Sequence, residues 1–141
     1  MGYYSRIQKL KEELDVTIFP SEKMPPKRLG SYEVSSHSIL WNTHQSDPQK
    51  WFTIAHELSH AKHGDTSCHG YLKTKQELRA DKEAAQLLIT KEEIVEAYTD
   101  GMTDIELAHE LNVDIDALKI YKSMMSENEF KELQNRVLKK F

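Results

Sequence analysis

Two pairs of polar side chains, each pair four residues apart and each in a stretch that reads as helix, restrict the folding of this chain most. FTIAHELSHAKHG (52–64) carries His56 and His60, with Glu57 following the first histidine; KQELRADKEAAQLLI (75–89) carries Glu77 and Asp81. Side chains four apart on a helix lie on one face, one turn apart. Apolar residues run from Trp51 through Phe52, Ile54, Ala55 and Leu58 until Gly64 stops the pattern, and Leu78, Ala84, Ala85, Leu87 and Leu88 mark the second helix.

Around these helices the pattern is that of a small sheet followed by more helices. Tyr3, Ile7, Leu10 and Leu14 fall at helical spacing over 3–14. VTIF (16–19) reads as a short strand that Pro20 closes, and SYEVSSHSILWN (31–42) as two strands turning at Ser35–Ser36. PSEKMPPKRLG and THQSDP read as a loop and a turn. The spacing predicts helices over 74–89, 91–99, 104–111 with Thr103 as N-cap, 114–124 and 127–140. The expected class is α+β, a small N-terminal β-sheet with the His-bearing helix and then a mostly helical C-terminal part. At 141 residues one domain is expected, with a core over 1–98 and a helical extension over 99–141.

With both imidazoles on one face, His56 and His60 can hold a single Zn²⁺. Glu57 is rotated by about 100° from His56, off the ligand axis but within reach of a water on the metal. Bound zinc brings the pKa of its water to about 7, and a glutamate there can take the proton as the oxygen attacks a carbonyl. A catalytic zinc needs a third protein ligand. Glu77 leads for that place, with Glu83 and Asp65 as alternatives. Asp81, on the face of Glu77, would accept the free ring N–H of a ligand histidine and fix its tautomer.

Such an enzyme also needs a donor for the developing oxyanion. His69 and Tyr71, between the two helices, are candidates, and Asn42 is a third for oxyanion or substrate contact. The strand SILWN (38–42) offers a sheet edge on which an extended substrate could pair through its backbone. Cys68 is the only cysteine, so no intrachain disulfide forms, and no apolar stretch approaches membrane-spanning length. A cytoplasmic protein is expected, with no membrane partner. The formal charge of −4 gives no electrostatic reason to expect nucleic acid. TDIELAHELNVDIDALKIYKS (103–123) has the shape of a helix-turn-helix, but residues 99–141 hold nine acidic against six basic side chains, which repels phosphate. A structural or protein-docking helical pair is the reading.

From about Met24 to Met124 the sequence resembles the ImmA/IrrE family of zinc metallo-endopeptidases. The resemblance rests on MPPKRLGSYE, SILWN, FTIAHELSH, ELRADKEAAQLLI and GMTDIELAHELNVDIDALKIYKSM. It implies a gluzincin-like site with His56, His60 and Glu77 on zinc, Glu57 as base and Asp81 behind a ligand. It also implies a protein substrate, a helix-turn-helix repressor of a phage or mobile element, and hence an anti-repressor role. Four positions depart from the family pattern. Ser59 stands where glycine is usual, Arg79 where an acid is frequent, Glu83 where an aromatic is typical and Thr90 where proline often stands. Glu83 puts a carboxylate in place of an apolar packing residue close to the site. The competing reading is a zinc-stabilised binding module that neutralises a regulator without proteolysis, which would close the metal with a fourth protein ligand.

Overall fold

The computed structural model describes residues 2–65 and 70–140. Helix α1 (Tyr4–Leu14) turns Tyr3 and Ile7 into the core and ends on Asp15, whose backbone is left-handed at φ 52°. Three strands follow: β1 (Thr17–Ser21), β2 (Gly30–Glu33) and β3 (Ser38–Asn42). The sheet order is β1-β3-β2, with β1 parallel and β2 antiparallel to β3. The hairpin expected around Ser35–Ser36 is thus present. Pro20 does not close β1. The strand continues through it, Pro20 in register with Trp41 and Ser21 with Asn42, because β1 is an edge strand and the missing N–H leaves no partner unpaired. The expectation that SILWN offers a free edge also fails: β3 is the central strand and both its edges are taken. The free edge beside the His-bearing helix belongs to β2.

Helix α2 (Asp47–His63) begins four residues before the apolar run that starts at Trp51. Ser46 caps it, accepting from Gln49 N–H at 3.3 Å while the Gln49 side chain accepts from Ser46 N–H. Pro48 is tolerated there because first-turn N–H groups have no helical partner. Gly64 ends the helix at φ 61°, donating to Ala61 O, and Asp65 N–H reaches back to His60 O at 3.0 Å.

Helix α3 (Gly70–Leu88) packs on α2, turning the fully buried Ala80, Ala84 and Ala85 inward. Small side chains let helix axes approach closely, and that brings ligand side chains from both helices within reach of one another.

Helices α4 (Lys91–Thr99) and α5 (Asp104–Leu111) carry capping boxes at Thr90 with Glu93 and at Thr103 with Glu106. Thr90 is therefore a cap, a sound substitute for proline at a helix start. Helix α6 (Ile115–Ser123) buries Ala117 and Leu118 and packs on α3, while α7 (Glu127–Lys140) packs on α4. The Tyr3 hydroxyl donates to Asn112 O at 2.7 Å, tying the start of the chain to the α5–α6 turn. The second helix of the helix-turn-helix-like pair, α6, thus spends its apolar face on the helix that carries Glu77, and α5 packs on α6. No helix among the described residues is long and apolar enough to cross a membrane.

Gly30 is the tightest point between sheet and helix. A Cβ there would collide with Thr53 Cγ2 and lie 3.1 Å from Leu40 O and 3.4 Å from Glu57 Cγ. Thr53 cannot swing aside, since its hydroxyl donates to Gln45 Oε1 at 2.9 Å. Gly30→Ala is expected to lower stability by about 1–3 kcal/mol, read as a lower urea midpoint.

Candidate metal centre

His56, His60 and Glu77 each offer one ligand atom, and these atoms lie within 4.8 Å of one another. His56 Nε2 and His60 Nε2 are 3.1 Å apart, and each is 3.0 Å from an oxygen of Glu77. The two ring nitrogens that face away are both held. His56 Nδ1–H donates to Asp81 at 2.8 Å and His60 Nδ1–H to Asp65 at 2.8 Å. With the proton fixed on Nδ1, each Nε2 lone pair points to the shared centre. Two neutral imidazoles and one carboxylate, oriented in this way, fit a divalent cation. The Glu77 side chain is 46 % exposed, so the centre opens to solvent on one side.

Glu57 lies beside the centre and is 8 % exposed. No hydrogen bond to its carboxylate is seen among the described residues. Burial pushes its pKa up, while the neighbouring histidines and Arg28 pull it down less strongly. Burial alone would lower the His56 pKa, but the Asp81 hydrogen bond and the Glu57 and Glu77 charges hold it above its ordinary value in the metal-free protein. These groups form the floor of a cleft of about 1020 Å³, walled by residues 27–35, by Phe52 and Thr53 of α2, and by Lys73, Gln76 and Asp81 of α3.

Of the three candidate oxyanion or substrate contacts, His69 and the side chain of Tyr71 lie outside the described residues. Asn42 does not face the cleft. It is fully buried, and its Nδ2 donates to Pro25 O at 3.2 Å and Arg28 O at 2.9 Å while its Oδ1 accepts from His44 N–H. A strand-end amide with unpaired loop carbonyls beside it satisfies them first.

The sequence reading missed the partners that surround His60. Asp65, considered there as a ligand, is instead the acceptor for His60 Nδ1, and its carboxylate also receives Arg79. Burial would raise the Asp65 pKa, but the Arg79 guanidinium and His60 outweigh it and hold it low. Three of the four departures noted in the sequence, Ser59, Arg79 and Glu83, meet in one network. Ser59 Oγ donates to Glu83 at 3.0 Å, His63 Nε2 donates to it at 2.5 Å, and Arg79 lies 3.8 Å away. Glu83 is therefore a partnered charge and is committed away from the centre. The signal for Asp65 was present in the sequence: a residue directly after a glycine helix stop is turned back toward the last helical turn.

A comparison with curated proteins finds no match. The peptidase family described as the IrrE N-terminal-like domain matches residues 11–120, and the chain belongs to that family.

Proposed function

We propose that the chain is a zinc-dependent metallo-endopeptidase that hydrolyses a peptide bond in a protein substrate within the cytoplasm. The family resemblance points to a helix-turn-helix repressor of a phage or mobile element as that substrate, which makes the protein an anti-repressor. One observation carries the reading: a His56, His60 and Glu77 donor set converges at the floor of an open cleft, beside a buried carboxylate with no hydrogen bond among the described residues. Two histidines and a glutamate are a donor set that suits zinc. A bound divalent cation supplies Lewis acidity, making a water acidic and a scissile carbonyl electrophilic.

The chain's own residues do the rest. Asp81 and Asp65 keep the two imidazoles in the tautomer that presents Nε2. Glu57, with its proton affinity raised by burial, accepts the proton of the attacking water on its carboxylate and returns it to the leaving amine nitrogen. The free edge of β2 runs along the cleft and can align an extended substrate through backbone hydrogen bonds. The whole chain is read as one unit in which α6 buttresses α3 and α5 packs on α6. The acidic balance of 99–141 and the burial of Ala117 and Leu118 support a structural pair over a DNA-reading one.

The test is incubation of the zinc-loaded protein with candidate helix-turn-helix repressors from the genome that encodes it. Fragments on a gel are expected, lost on chelation and restored by adding zinc. A regulator that is bound and inactivated but left intact would mean the non-proteolytic binding module instead.

A further inference from the structure

The two carboxylates that back the ligand imidazoles are held in unlike ways. Asp81 stands inside α3, where the helix itself fixes its direction, and its side chain is 37 % exposed. Asp65 follows Gly64, the stop of α2, so no helix directs it. Its N–H is tied to His60 O at 3.0 Å, which leaves the side-chain rotamer undetermined. Yet that side chain is only 7 % exposed. A buried carboxylate needs more than one neutral imidazole N–H to offset its lost hydration.

Arg79 supplies the rest. Its Nη2 donates to Asp65 Oδ2, the same oxygen that accepts from His60 Nδ1–H. Among the described residues this is the only hydrogen bond of the guanidinium, whose Nε is buried and makes none. On its other side Arg79 Nε lies 3.8 Å from Glu83 Oε1, one turn further along α3. Glu83 in turn accepts from Ser59 and His63 of α2. The guanidinium therefore sits between two carboxylates, one bonded to α2 and one standing at its end. Because the arginine fork is planar and rigid, holding it on one side fixes what it presents on the other.

We propose that Arg79 is a positioning residue of the metal centre: it pins Asp65 against His60 Nδ1–H and so aims the His60 Nε2 lone pair at the cation. A guanidinium this close also repels a divalent cation directly, and that repulsion opposes the pin. Only the effect that passes through Asp65 is positional. The proposal rests on the zinc reading of the centre and is independent of hydrolysis.

The experiment measures zinc affinity, by competition with a chromogenic chelator, for the wild type, Arg79→Met, Asp65→Asn and the double variant. Direct repulsion is common to both backgrounds and cancels in such a cycle. Arg79→Met is expected to cost about tenfold more in affinity with Asp65 present than with Asn there, the lower end of what a lost group behind a ligand costs. In an Asp81→Asn background the cost of Arg79→Met should be unchanged. Proton NMR of the metal-free protein reads the pin itself. Arg79→Met should lose the slowly exchanging Nδ1–H signal of His60 and keep that of His56, and Arg79→Lys, which still donates to Asp65, should keep both. If Arg79→Met does not fold, Arg79→Ala, favoured in a helix, carries the same cycle. Effects of Arg79 and Asp65 that simply add, an equal coupling to Asp81, or a His60 signal that survives Arg79→Met would each overturn the pin. The two readings fail separately. A wild-type protein that takes up no zinc overturns the metal centre, and the ring N–H signals still decide for or against Arg79. Zinc uptake with an additive cycle does the opposite.

Discussion

Glu57→Gln leaves the protein folded and zinc-loaded and slows hydrolysis by about 10²–10⁴-fold, the span that positioned proton transfer contributes. The substitution keeps the shape of the side chain and removes only its ability to hold a proton. Glu57 is not one of the three converging donors, so zinc stoichiometry by metal analysis should stay at the wild-type value. Stability should not fall either. A carboxyl whose folded pKa lies above its unfolded value costs stability once pH passes the unfolded value, and burial puts Glu57 in that position in the metal-free protein. A neutral amide removes this cost at neutral pH. Loss of rate with metal and fold intact is the signature of a proton carrier; a variant that cuts at the wild-type rate would remove Glu57 from the mechanism.

Glu77→Ala acts on a different quantity. Among the described residues its carboxylate is the only donor of the centre that comes from α3, so the variant leaves the two histidines of α2 without their partner from the facing helix. Zinc affinity, measured by competition with a chromogenic chelator, should fall by more than the roughly 10–100-fold typical when a group behind a ligand is lost. The fold should survive because the side chain is nearly half exposed. Unchanged affinity would show that the centre is not built from both helices.

Much of this was legible because two periodicities carried it. Four-residue spacing put His56 over His60 and Glu77 over Asp81, and the structure brings these pairs face to face. Thr103 as a cap and Gly64 as a stop followed from local backbone chemistry, which sequence states directly. Strand order was not legible. Whether SILWN lies at an edge or in the centre depends on β1 returning beside it, a pairing some twenty residues distant. Asn42 was misjudged for a related reason: a polar residue at a strand end looks available until the loop that it satisfies is placed. Arg79 was unreadable as a partner of His60 because the link passes through Asp65, on neither helix.

The web joining Ser59, Glu83, His63, Arg79 and Asp65 to His60 has an evolutionary consequence. These positions cannot drift one at a time. A glycine at 59 deprives Glu83 of a donor, and an aromatic ring at 83 removes the acceptor of His63 and leaves Arg79 with Asp65 alone. An acid at 79 confronts Asp65 with a like charge. Energetic effects within such a set do not add. A chimera that borrows one helix from a relative with glycine, acid and aromatic residues here would inherit half of each solution. Either parent could work while the hybrid loses the alignment of an imidazole that neither altered.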